Sequence, residues 1–254
     1  MTRIAPILAA LALPFVLAAC GGLAGSPDDG ARVTVAFAAS APAALSGSAS
    51  SAVVDAFQAE GLRIEGSNGV LDLSTVAFVV EEIEFDCDDD RVGPCADFET
   101  EPAFLDLPLG SGTVAATTRS IPAGTYDELE FEIEDLDDDD GVDRSALLAE
   151  IRARFPAFPR DASMVVEGAF TPTGGAPITF QVFFEAEVEV ELDLTPPLVV
   201  DADGVADRTL VVDVQPGIWF LRSDGTVRDL SALDGTLVEF EVEIEDGFAE
   251  VEFD

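Results

Sequence analysis

Histidine is absent from the 254-residue sequence, and so is lysine, so that all twelve basic residues are arginine. Without histidine there is no His-based triad, no imidazole general base and no His metal ligand. Against the arginines stand 51 Asp and Glu residues, for a formal net charge of −39. Such a surface repels nucleic acid and anionic headgroups, both of which bind through basic patches, and leaves cations or basic proteins as electrostatic partners. A salty medium that screens dense carboxylates accounts for the same acidity without any partner. Hydrophobic residues at 48% exclude general disorder despite the charge. Trp219 and Tyr126 are the only residues of their kinds. Trp219, set between Ile218 and Phe220, reads as core rather than as a sugar-stacking platform.

What the sequence does have begins at its N-terminus. Arg3 supplies a short positive region, Ile4 to Val16 an apolar one, and small residues follow, the layout of a removable export signal. The tetrad Leu17-Ala18-Ala19-Cys20 resembles the bacterial lipobox. The resemblance implies cleavage before Cys20, lipid attached to Cys20 and a membrane partner reached through that lipid. Gly21 in place of Asp points to the outer membrane. An uncleaved transmembrane helix is the competing reading, weakened by a short apolar run with no basic flank after it. The expected division is a signal peptide over 1–19, a lipidated flexible tether over 20–31 and a β-sandwich over 32–254, with a C-terminal extension from about 216. A split near Pro156 to Asp161 is the alternative.

With Cys20 assigned to lipid, Cys87 and Cys95 remain. In an exported chain they are expected to form a disulfide across a short loop turned by Gly93-Pro94. A thiolate zinc site competes, but two Cys ligands without His serve it poorly.

From Leu62 onward alternating patterns dominate. Gly69 to Cys87 changes phase: Val76, Phe78 and Val80 share one parity, Ile83, Phe85 and Cys87 the other. A β-bulge near Glu81-Glu82 is the expected cause. Ile121-Pro122-Ala123-Gly124-Thr125-Tyr126 is a turn feeding Leu129, Phe131 and Ile133, with Glu128, Glu130, Glu132 and Glu134 facing water. One helix is predicted from Ser145 to Phe155, stopped by Pro156. Ile178 to Leu194 reads as a single long strand, and Thr209 to Val214 as another. Asp246-Gly247 predicts a type I′ hairpin that sets Ile244 against Ala249, Val242 against Val251 and Phe240 against Phe253. The fold class expected is all-β, an antiparallel β-sandwich with one short helix and a C-terminal hairpin.

The spacing of Ala103-Phe104-Leu105-Asp106-Leu107, the Ile121 to Tyr126 turn and the alternating strand after it resembles bacterial surface lipoproteins. These carry an uncharacterised transthyretin-like or immunoglobulin-like sandwich domain. The resemblance implies a fold and an envelope address, and no catalytic residues.

Three acidic loops supply oxygen ligands of the kind calcium takes: Asp86 with Asp88 to Asp90, Asp135 to Asp143, and Asp201 to Asp207. The last resembles the Asp-x-Asp-Gly-x-x-Asp segment of calcium-binding repeats, which makes Asp201, Asp203 and Asp207 the candidate metal ligands. None of the loops fits an EF-hand register, and a solvated acidic turn is the competing reading. No nucleophile elbow or P-loop is present. The expected function is therefore a non-enzymatic binding or structural role at the cell envelope, with calcium as a candidate stabiliser. The alternative is a glycosidase-like envelope hydrolase working through two carboxylates.

Overall fold

The computed structural model describes residues 31–40, 54–58, 61–87, 99–136, 144–201, 207–239 and 247–253. Cys20, the lipobox, Cys95, Asp203 and the Asp137 to Asp143 run lie outside the described residues. Among the described residues the fold is all-β, with strands in three sheets and no closed barrel.

The first sheet contains β1 (Ala31–Ala39), β7 (Val114–Ile121), β12 (Arg208–Val214) and β14 (Phe248–Phe253), ordered β14-β12-β1-β7. The second runs β13-β10-β9-β4-β3-β2, with β6 also paired to β4. Its strands are β2 (Val54–Gln58), β3 (Gly61–Gly66), β4 (Gly69–Val80), β6 (Ala103–Asp106), β9 (Met164–Pro172), β10 (Ile178–Glu185) and β13 (Leu237–Glu239). The third, ordered β11-β8-β5, holds β5 (Ile83–Cys87), β8 (Gly124–Ile133) and β11 (Val188–Val200). Pairing is mostly antiparallel, but β1 with β12 and β10 with β13 run parallel, so the sandwich is mixed.

The phase change at Glu81-Glu82 is both a bulge and a corner: Glu81 N–H donates to Glu132 O at 2.9 Å while Glu132 N–H donates to Glu82 O at 3.1 Å, two residues against one. β4 belongs to the seven-stranded sheet and β5, two residues on, to the three-stranded one. The extra residue reverses the parity at the point where the chain crosses between sheets. A second irregularity lies earlier in β4, where its register against β9 shifts between Leu73 and Thr75. Ile178 to Leu194 makes the same crossing: β10 stays in the large sheet, the chain turns at Ala186-Glu187, and β11 joins the small one. Ser163 ties the two corners together. Its carbonyl accepts from Val79 N–H, and its hydroxyl accepts from Ala186 N–H at 2.8 Å.

Between the sheets lies one apolar core drawing on all three, from Val33 and Phe37 through Phe78 and Phe131 to Trp219 and Phe248. Phe131 stands edge-on to Phe37 at 5.3 Å and to Phe248 at 5.0 Å, the offset geometry aromatic quadrupoles favour. Trp219 is fully buried, as its apolar neighbours predict, on the short helix α2 (Pro216–Phe220). Gly247 is required beside it, because a Cβ there would stand 2.0 Å from the indole nitrogen.

The predicted helix is α1 (Ser145–Arg154). It covers the outer face of the large sheet, where Leu148, Ile151, Phe155 and Phe158 pack with Ala77, Val79, Val165 and Phe183 in a second apolar cluster. That layer explains why Val76 to Val80 is buried at every position, on both faces of its strand. Arg144, just before the helix, pairs with the buried Glu81 at the corner.

The turn from Ile121 to Tyr126 carries the chain from the first sheet to the third. The Tyr126 hydroxyl donates to Pro122 O at 3.0 Å, a tyrosine-corner contact that fixes the crossing. In the expected C-terminal hairpin, residues 240–246 lie outside the described residues. The following strand, β14, pairs antiparallel with β12.

Candidate functional site: a carboxylate-lined sheet face

The three-stranded sheet presents opposite chemistries on its two faces. Inward, Ile83 and Phe85 of β5, Leu129, Phe131 and Ile133 of β8, and Val190 of β11 are buried. Strict period-two alternation then sends their neighbours outward, and every one of those is acidic. The register sets Glu84 opposite Glu130 and Glu130 opposite Glu191, so three carboxylates share one row. Asp86, Glu128 and Asp193 form the next row by the same pairings. Glu189 lies opposite Glu132, and Glu132 N–H donates to Glu82 O at 3.1 Å, which extends a third row to the corner.

Like charges directly opposed destabilise a strand pair by up to about 1 kcal/mol each. Here they are also half-buried by one another and by the pleat: Glu82, Glu84, Asp86 and Glu128 to Glu132 are intermediate in exposure along their outward positions, while Glu189, Glu191 and Asp193 are exposed. Carboxylate oxygens converge in three triplets, Glu82/Glu84/Glu99, Asp86/Glu128/Glu130 and Glu130/Glu132/Glu189, with each set within 4.8 Å.

Desolvation combined with this crowding favours the neutral acid. Burial first, then the charges of Glu84 and Glu99, pushes Glu82 up to about 7. Burial first, then a hydrogen bond to Glu189 and its charge, pushes Glu130 up to about 7. Glu84 and Glu128 are raised by burial, and then by Glu99 for the former and by Glu191, Asp86 and Asp193 for the latter. Glu134 is raised by burial and by Glu132, Glu187 and Asp135, with Arg144 opposing. Chemically, the face can hold protons between paired carboxyl groups and attract cations from solution.

Six to eight oxygens complete a calcium shell, and each of these triplets offers three carboxylates on an open surface. The predicted metal ligands are elsewhere. Asp201 follows the end of β11 and Asp207 precedes β12, both exposed, and Asp203 lies outside the described residues. Cys87 closes β5 opposite Tyr126, while its expected partner Cys95 lies outside the described residues.

Two depressions mark the rest of the described surface. One, between α1 and β6, is lined by Phe104, Leu147 and Ile151, with Asp106 bonded to Arg154 at 2.6 Å. The other is a trough over Gly61 and Gly168, bordered by Arg63, Asp72 and Thr179. Arg63 is already engaged by Glu65 and Asp72.

The carboxylate face was not anticipated as a site. Its signal is the repeated alternating Glu and Asp at 82–86, 128–132 and 187–193, legible strand by strand. Which strands lie side by side was not legible. Comparison of the chain with protein-family models, with curated proteins and with solved structures found no match.

Proposed function

We propose that this is a lipid-anchored, acidic β-sandwich of the bacterial cell envelope with a non-enzymatic binding or structural role. It is held at the membrane, by this reading the outer one, through lipid on Cys20 and stapled by a Cys87–Cys95 disulfide. The observation that carries the reading is where the carboxylates stand. They cover an open sheet face, while the space between the sheets is filled by apolar side chains. Glycoside hydrolysis needs two acids flanking a bond in a site that holds and orients the sugar. The envelope hydrolase reading draws support from one feature, since a carboxyl raised beside ionised neighbours is the state of a general acid.

Recovery of the mature protein from membranes tests the address. The expected N-terminal peptide begins at Cys20 and carries diacylglycerol, and Cys20→Ser releases the protein into the soluble fraction. An unmodified N-terminus would sink the reading. Turnover of aryl glycosides that is lost in Glu130→Gln would favour the hydrolase. Thermal unfolding at fixed high ionic strength, with calcium against magnesium, measures cation stabilisation. A calcium-specific rise abolished by Asp203→Ala would assign an ion to the 201–207 loop.

A further inference from the structure

The helix α1 covers only one end of the outer face of the seven-stranded sheet, over Ala77, Val79, Val165 and Phe183. Toward the other end, the registers set Arg63 opposite Asp72, Asp72 opposite Ala169 and Ala169 opposite Thr179. These four form one row across β3, β4, β9 and β10. Period two turns their side chains outward, since Leu62, Leu71, Phe170 and Phe180 beside them are in the core. In the neighbouring row Gly61 has no side chain, and Glu167 stands opposite both Thr75 and Gln181. Gly61 and Ala169 thus lie low among longer polar residues, and the result is the trough already described. Its volume is about 420 Å³, within the range of about 300–1,000 Å³ typical of small-molecule sites. Glycine keeps one corner of the floor open, because a Cβ on Gly61 would stand 2.5 Å from Leu73 O.

The polar groups of the rim are fixed by one another. Arg63 Nη1 donates to Asp72 Oδ1 at 3.0 Å and Nη2 to Glu65 Oε1 at 3.1 Å. Glu167 accepts from Gln181 Nε2 at 2.6 Å and from Thr75 Oγ1 at 3.1 Å. Ser74 Oγ donates to Glu167 O at 3.2 Å, which leaves its oxygen to accept. Acceptors and donors held in this way surround a floor of backbone and one methyl group.

We propose that this trough is a saccharide-binding site, in which one face of a neutral pyranose ring lies on the Gly61–Ala169 floor and its hydroxyls meet Arg63, Asp72, Ser74 and Thr179. The site goes beyond the envelope reading and holds whether or not Cys20 carries lipid. It lies on a different sheet from the carboxylate rows.

Charge selects the ligand class. Glu65, Asp72 and Glu167 against one arginine repel an anion. A cation meets the Arg63 guanidinium between Glu65 and Asp72, and finds all three carboxylates already engaged by donors of the protein. A wholly apolar ligand would strip water from the rim and replace none of its hydrogen bonds. A polyol replaces them, because each hydroxyl both donates and accepts and a carboxylate oxygen accepts more than one bond. The C–H face of a pyranose removes the apolar floor from water at the same time.

The test is isothermal titration of the full chain, in micelles of a polyoxyethylene detergent that carries no sugar. The neutral probes are cellotetraose, maltotetraose, xylotetraose and mannotetraose, and the charged probes are spermidine and inorganic phosphate. At least one of the sugars should bind, and added salt should leave its affinity unchanged. Ala169→Leu fills the floor and Asp72→Ala removes a rim acceptor, and each should weaken binding about tenfold or more. An unchanged melting temperature shows that these variants fold. Thr179→Val, which keeps the shape and loses the hydroxyl, should weaken binding about fivefold and decides the matter if either of the others does not fold. Glu130→Gln, on the other sheet, should bind as the parent does, which separates this site from the hydrolase reading. The proposal is overturned if none of the sugars binds at about 10 mM, or if the folded trough variants bind as the parent does. Binding of spermidine or phosphate that exceeds every sugar and is lost in the same variants overturns it as well.

Discussion

The outer face of the seven-stranded sheet and the outer face of the three-stranded sheet are made partly by the same chain runs, yet they carry opposite chemistry. Before its corner, β4 turns Ala77 and Val79 outward, and β10 turns Phe183 outward. After the corners, β5 turns Glu84 and Asp86 outward, and β11 turns Glu189, Glu191 and Asp193 outward. The apolar half is roofed by α1, because exposed apolar area of that extent costs roughly 25 cal/mol per Å². Among the described residues no helix lies over the acidic half, whose carboxylates are half-buried or exposed. A sheet face is thus completed by whatever its outward residues require, and the corner is where the requirement changes.

The comparison is most strongly broken on the roofed side. Phe183 is 1% exposed and edge-packed on Phe158 at 5.8 Å. Phe183→Ala should cost about 3–5 kcal/mol, read as a lower urea midpoint at an unchanged m-value. Arg144→Ala removes the cation paired with the buried Glu81 carboxylate and should cost about 3–5 kcal/mol, read in the same way.

On the open side the effects are smaller and of the other sign. Raising the pH from 5 to 7.5 should lower the melting temperature, since burial and crowding hold Glu82 and Glu130 up to about 7 and ionising them costs the folded state only. Added salt should recover part of the loss by screening. Glu191→Arg places a cation opposite Glu130 and should stabilise by about 0.5–1 kcal/mol, measured as a higher urea midpoint at pH 7.5. A destabilising Glu191→Arg would mean that the rows do not repel in the folded protein. Tyr126→Phe, which removes only the hydroxyl bonded to Pro122 O, should cost about 1 kcal/mol and serves as a measure of the crossing itself.

Much of this was legible beforehand. The alternation that marks β8 is a local consequence of one buried face, and α1 is announced by Leu148, Ile151 and Phe155 at helical spacing ahead of Pro156. The Glu81-Glu82 bulge is legible as a change of parity, but that it is also a change of sheet is not, and the corner between β10 and β11 reads as uninterrupted strand. Parity records which way a side chain points and says nothing about which sheet receives it. The 201–207 loop stands out because closely spaced Asp residues are visible in a one-dimensional reading, whereas the carboxylates of two of the three converging triplets come from segments about 40 to 60 residues apart.

By itself, then, the sequence determined the strand-rich class, the buried Trp219, the helix α1 and the acidity of each outward row. These follow from side-chain polarity and period, which are properties of neighbours along the chain. Only the tertiary structure decided that β8 lies between β5 and β11, that the glutamates of three strands share rows, and that Arg144 is spent on Glu81. The reason is physical. Burial is set by local pattern, but the proton affinity of a carboxyl depends on charges within a few ångströms, and those are chosen by strand order.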